Sequence, residues 1–198
     1  MASFFEMIGK PPATASVHDS TLLIVDAQNE YAEGRFKTVG VEQTRKAIHE
    51  LVEAYRAGAA STGKPASIVH IVHHPSDDTK FFVAGTTLGD IFTELTPLPG
   101  EVVVHKRLPG SFSQTDLHEQ LQKLGRQKLV IVGYMTHLCV SMTARQALEL
   151  GYTNLMPSDA VGTRDIPGVS AAELNRVALA ELADSTATII LSKDVART

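Results

Sequence analysis

Residues Leu129 to Val140 read LVIVGYMTHLCV, and this stretch restricts the possible folds more than any other part of the chain. Leu129-Val130-Ile131-Val132 is a run of four branched apolar residues, suited to a strand buried on both faces. Gly133 is expected to break that strand, Tyr134-Met135 to cross a tight turn, and Thr136 to cap a helix. The segment from Leu138 to Leu150 has helix-forming composition and ends at Gly151, a natural residue just past a helix C-terminus. Cys139, the only cysteine, is thereby predicted in the first turn of a helix that follows a buried strand. Unpaired N–H groups and the helix dipole at such a place favour a thiolate. A lone cysteine is ordinarily a small buried hydrophobe, so its partners decide whether it is a nucleophile.

The chain has 198 residues and is 43% hydrophobic, enough for one sizeable core and too short for two comfortable domains. A net charge of −4 with mixed signs gives no basic stripe for nucleic acid or an anionic membrane. One cysteine leaves no internal disulfide framework and suits a reducing compartment. The opening MASFFEMIGKPP reads as neither a signal peptide nor a membrane span. A cytoplasmic protein is the expectation.

Residues 1–20 read as an N-terminal arm, with Pro11-Pro12 opposing regular structure and Phe4, Phe5 and Met7 available for docking. The body spans 21–198. Thr21 to Val25 is an apolar run without alternation, as in a central parallel strand, and Asp26 closes it. Val41 to about Ser61 repeats apolar residues at helical spacing. Ser67 to Val72 reads as a second strand, followed by His73-His74-Pro75. The stretch from Ser76 to Pro99 is irregular, and a connection of that length suggests a functional loop or a short helix. Glu101 to His105 is a third strand, followed at once by Lys106. Gln114 to Leu124, Ala171 to Leu182, Tyr152 to Met156 and Thr186 to Leu191 read as two further helices and two further strands. Strands separated by helices of crossover length require an α/β fold, with a mostly parallel sheet and helices on both faces. Ligands of such sheets bind at the carboxyl ends of the strands. Asp26, Lys106 and Cys139 all fall at that edge.

An acid, an ammonium and a thiol on separate strand ends suffice for covalent catalysis. The thiol attacks an electrophilic carbon, Asp26 moves the proton, and Lys106 holds the charges. Singly, Asp26 reads as a capping residue and Lys106 as a surface lysine; their coincidence at one edge is what favours function.

Three blocks then resemble the isochorismatase-like cysteine hydrolases. Val25-Asp26-Ala27-Gln28-Asn29-Glu30-Tyr31 resembles the family's VD-x-Q-N-D-F opening. Lys106-Arg107-x-x-Gly110-Ser111-Phe112 resembles its lysine segment. Gly133-x-x-Thr136-x-x-Cys139-Val140, continuing through Thr143-Ala144-Arg145 to Gly151-Tyr152, resembles its nucleophile signature. The blocks occur in order, and the resemblance runs from about Thr21 to Val195. It implies a single Rossmann-like domain with about six parallel strands. It also implies a Cys-Lys-Asp triad with Asp26 as general base, Lys106 as electrostatic partner and Cys139 as nucleophile. A non-proline cis peptide at Tyr134-Met135 is implied too, setting the Met135 and Cys139 N–H groups as oxyanion donors.

The departures narrow the activity. Relatives that hydrolyse nicotinamide carry a D-x-H-P metal motif, whereas here Val72 stands where the acid belongs. His70, His73, Asp77 and Asp78 read as loop and strand residues rather than ligands, and no metal or other cofactor is expected. True isochorismatases lack the cysteine at the nucleophile position. His137 replaces the family's usual Asp after Thr136 and reads as an exposed or interface histidine. The resulting expectation is a metal-independent hydrolase of a C–N bond in a small amide or carbamoyl compound. Phe36, Phe82, Phe112, Tyr134 and Leu138 are its candidate pocket. The alternatives are vinyl-ether hydrolysis with Cys139 a spectator, or a non-enzymatic binding or redox-sensing protein using Cys139. The partners expected are a small-molecule substrate and further copies of the chain in a homo-oligomer, a dimer or larger.

Overall fold

Runs that are apolar without alternation must be covered on both faces, and the chain achieves this with parallel strands and flanking helices. The computed structural model describes residues 1–76 and 78–197. In chain order the elements are α1 (Phe4–Met7), β1 (Ser20–Val25), α2 (Val41–Thr62), β2 (Ile68–His73), β3 (Val102–Lys106), α3 (Leu117–Leu124), β4 (Lys128–Tyr134), α4 (Ser141–Glu149), β5 (Thr153–Pro157), β6 (Val161–Gly162), α5 (Ala171–Ser185) and β7 (Ala187–Ile190). Among the described residues the strands form a seven-stranded sheet in the order β3-β2-β1-β4-β5-β7, with β6 paired to the end of β4. Every pairing is parallel. The chain moves outward from β1 in one direction and from β4 in the other. The crevice between β1 and β4 is therefore the switch point where a doubly wound sheet binds its ligand.

One core packs α2 against the sheet through Ile48, Leu51, Val52 and Tyr55, joined by Ala15 and Val17. The other face is covered by Leu117 and Leu121 of α3, Ala144 and Ala147 of α4 and Leu182 of α5. α2 and α3 stop at Gly63 and Gly125, both left-handed at φ +66° and +68°. The segment ahead of β1 lies on the body. Ala13 N–H donates to Thr188 Oγ1 (3.0 Å), and Val17 N–H to the Ala196 carbonyl (2.9 Å). Phe4 N–H reaches Asp184 Oδ1 on α5 at 2.9 Å, while the Phe4 and Met7 side chains are exposed. The irregular stretch after β2 carries a 3₁₀ turn, Thr93–Leu95, whose Glu94 receives a two-pronged ion pair from Arg45 on α2.

Some boundaries differ from the sequence reading for local reasons. Gly133 does not end its strand: β4 continues through Tyr134, and Gly133 pairs with both Val25 and Val161. Its residue type is dictated by tertiary approach, because a Cβ there would stand 2.0 Å from the Val25 carbonyl oxygen, at φ +115°. α3 begins at Leu117 rather than Gln114, whose φ is +58°.

Candidate active site

Asp26 follows β1 directly, and its backbone leaves the strand through a left-handed turn, φ +52°. Lys106 is the last residue of β3, separated from β1 by β2 and paired with His73 at the end of that strand. Its Nζ lies 2.8 Å from Asp26 Oδ2, with both side chains fully buried. The same ammonium donates to the carbonyls of Pro109 (2.8 Å) and Leu108 (3.1 Å), so three oxygens hold it. Cys139 is 3% exposed, and the charges that act on its side chain are those of Asp26 and Lys106. Acid, ammonium and thiol thus meet beyond the carboxyl ends of β1, β3 and β4.

The segment that carries Cys139 is not the α-helical first turn expected from the sequence. Thr136–Val140 forms a π-helical turn that feeds into α4. Thr136 does not cap it, and Thr136 Oγ1 is buried without a hydrogen-bond partner. The preceding Tyr134–Met135 peptide bond is cis. Such π turns cluster at functional sites because they re-aim one side chain within a helix.

The electrostatics also depart from the reading of a thiolate favoured by a helix end. Burial raises the Cys139 thiol most, the Asp26 carboxylate adds to this, and Lys106 offsets only part, leaving it pushed up to about 12. Burial likewise raises Asp26, against the stabilising charge of Lys106. The resting pair is a neutral thiol beside a buried acid of increased basicity.

Other side chains fix this geometry. Gln28 ties the ends of β1 and β2 together, donating to the carbonyls of His73 (3.1 Å) and Gly89 (2.7 Å) and accepting from His73 N–H (2.8 Å). Glu30, fully buried, accepts from Arg35 N–H at 2.7 Å and from Phe82 N–H at 3.4 Å. The loop after Lys106 is anchored to α4 by the Ser111–Thr143 hydroxyl pair at 2.8 Å. The sequence reading quoted these residues as motif positions and assigned them no task; in the structure they are clamps. Tyr31, another of the motif positions, is buried between Tyr134 and Phe82.

The candidate pocket residues do not all converge. Phe36 stacks on Phe82 (5.8 Å between ring centroids), Phe82 on Tyr31 (5.1 Å) and Tyr31 on Tyr134 (5.4 Å). Phe112 stands apart, stacked on Tyr152 at the start of β5 (6.1 Å). Leu138 is partly exposed, and His137 is half-buried, with Nδ1 2.6 Å from Thr163 Oγ1. Burial, assisted by the charge of Arg164, lowers the pKa of His137. Clefts of about 380 and 160 Å³ open beside Lys106 and Phe82 respectively. A larger groove of about 600 Å³, between α2 and Arg197, contains none of these residues.

The residues weighed as metal ligands do not form a site. His70 is bound to Glu101 at 2.9 Å, His74 stacks on His105, His73 faces Phe82, and Asp78 accepts from Ser76. Asp77 lies outside the described residues. Among the described residues no three His, Cys, Asp or Glu side chains are grouped to hold an ion.

Comparison with known proteins follows the same lines. The isochorismatase domain model matches residues 20–194. The secreted isochorismatase effector Isc1 of Verticillium dahliae is 52% identical over 195 residues, covering 98% of this chain and all of that protein. A crystal structure of an isochorismatase from Pseudomonas putida superposes with a TM-score of 0.90 at 33% identity, over 98% of this chain and 99% of that one. N-carbamoylsarcosine amidase from Thermoplasma acidophilum is similar at 25% identity and a TM-score of 0.72, over 88% of this chain and 96% of its own. On the family match, the near-complete coverage and the shared architecture, this chain belongs to the isochorismatase family of hydrolases.

Proposed function

We propose that this hydrolase cleaves a C–N bond of a small amide or carbamoyl compound, using Cys139 as nucleophile, Asp26 as proton carrier and Lys106 as electrostatic partner. The observation that carries the reading is a buried thiol under the charges of Asp26 and Lys106, which pair with each other at 2.8 Å. Because the thiol rests protonated, attack requires Asp26 to accept its proton as the S–C bond forms. The carbonyl oxygen becomes an oxyanion, for which the backbone N–H groups of Met135 and Cys139 are the proposed donors. Collapse breaks the C–N bond, and Asp26 returns the proton to the leaving nitrogen. Water then attacks the thioester with Asp26 again taking a proton, and the expelled thiolate is reprotonated from Asp26. The similarity to N-carbamoylsarcosine amidase supports this bond class. We assign no metal or organic cofactor to the reaction. We further propose that the enzyme works as a homo-oligomer in a reducing compartment.

The 52% identity to a protein named an isochorismatase effector favours a second reading, hydrolysis of a vinyl ether. In that chemistry Asp26 would protonate the alkene carbon, water would add to the resulting oxocarbenium carbon, and the hemiketal would collapse to a ketone as its C–O bond to the ring breaks and the ring oxygen takes the proton, with Cys139 forming no bond. Wild type and Cys139→Ala should be assayed against a panel of primary amides and N-carbamoyl compounds, with ammonia as readout, and against isochorismate. Ammonia release that disappears in Cys139→Ala supports the first reading. Isochorismate cleavage that survives in Cys139→Ala replaces it with the second.

A further inference from the structure

His74 stands where the ends of β2 and β3 meet the long loop. Its N–H donates to the Lys106 carbonyl at 3.0 Å, and its Nδ1 lies 2.9 Å from the Phe82 carbonyl oxygen. A carbonyl only accepts, so Nδ1 carries the proton and Nε2 is left for another partner. The ring stacks on that of His105, with centroids 5.5 Å apart and an interplanar angle of 18°. Both imidazoles, with Lys106, Arg107 and Gln114, line the cleft of about 380 Å³ beside Lys106. That cleft shares His74, Pro75 and Ala84 with the smaller one beside Phe82, so the two form one continuous space. Among the described residues no carboxylate lines either of them. Lys106 is already paired with Asp26, so Arg107 and the two imidazoles make this space electropositive. Backbone strain marks the same place. Among the described residues three non-glycine residues have positive φ: Asp26 (+52°), Phe82 (+53°) and Gln114 (+58°). The first is the proposed proton carrier, and the other two line one each of the joined clefts. Such conformations cost free energy and cluster at functional sites.

We propose that the cleft lined by His74, His105, Arg107 and Gln114 is an anion subsite, which takes a carboxylate carried by the substrate in addition to its scissile amide. The proposal rests on the reading of the protein as an amide hydrolase and adds an acid group to that substrate class. Two stacked imidazoles repel each other once both are charged, and a carboxylate bound against them removes that cost. Arg107 supplies a further positive charge, and the Gln114 side chain an uncharged donor. Lys106 belongs both to this cleft and to the pair with Asp26, so an anion held here lies next to the reaction centre. Binding energy from the acid group would then orient the scissile carbonyl toward Cys139. A neutral amide of the same length lacks that hold.

The test uses the full chain with succinate as probe and uncharged succinamide as control, at constant ionic strength. The NMR signals of the His105 ring protons, identified by their loss in His105→Gln, should shift saturably with succinate and stay in place with succinamide. The dissociation constant for succinate should rise about tenfold in Arg107→Gln and in His105→Gln. In turnover, the preference for succinamate over succinamide in kcat/KM should fall about tenfold in His105→Gln, through KM rather than kcat. A linear drift with succinate that sodium chloride reproduces would overturn the proposal, as would saturable binding that neither variant weakens. If no amide is hydrolysed, the proposed reaction fails instead, and the succinate titration still decides whether the cleft holds an anion.

Discussion

Lys106 Nζ and Asp26 Oδ2 are 2.8 Å apart, with both side chains out of contact with solvent. Desolvating two charges is offset only while both are present, so removing one leaves the other stranded. Lys106→Met should therefore destabilise the protein by about 3–5 kcal/mol, seen as a lower urea midpoint. The double variant with Asp26→Asn should lose less than the sum of the singles, because no buried charge is left unpaired. Asp26→Asn alone should abolish turnover, and near-wild-type activity in that variant would remove Asp26 from the mechanism.

Cys139 alkylation should be slow at neutral pH and still rising above pH 9, since burial and Asp26 push the thiol up to about 12. In Asp26→Asn the repulsion from the carboxylate is gone, and the inflection should fall. A wild-type inflection below the free-thiol value of about 8.5 would contradict this electrostatic picture.

Gly133→Ala should fold poorly or not at all. The added Cβ would lie 2.0 Å from the Val25 carbonyl oxygen, at the carboxyl end of the β1–β4 pairing, and the backbone is held at φ +115°. A loss of about 3 kcal/mol or more is expected, read as a fall in Tm. A comparable substitution at Gly85, whose Cβ would meet nothing within 4 Å, should cost far less.

His73 links stability to pH. Burial first, then Lys106 and His74, lowers its imidazole to about 4 from an ordinary 6.5. Between those values the unfolded chain binds a proton that the folded chain does not, so stability rises with pH across the window. The contribution is complete above about pH 6.5 and is lost as pH falls toward 4; it amounts to at most about 3 kcal/mol. His73→Gln should flatten the urea-midpoint profile between pH 4 and 6.5 relative to wild type. An unchanged slope would place the titration elsewhere.

Alternation of apolar runs with helical stretches was enough to determine the sheet and the strand edge at which Asp26, Lys106 and Cys139 lie. Apolar periodicity and glycine stops are local properties that remain visible in one dimension. Motif spacing likewise picked out those three residues before any contact between them was known. Contacts between distant segments decided the rest. Nothing near Gly133 in the chain reveals that the Val25 carbonyl will press against it, so a glycine demanded by close approach reads as a strand breaker. The helix-end position of Cys139 suggests a stabilised thiolate, yet burial in the core beneath α3, α4 and α5 and the charge of Asp26 reverse that preference. Phe36 and Phe82 share a stack while Phe112 faces Tyr152, a division that depends on how loops from three strands fold over the sheet edge. Desolvation, steric approach and aromatic packing depend on which distant residues become neighbours, and only the packed tertiary structure sets those.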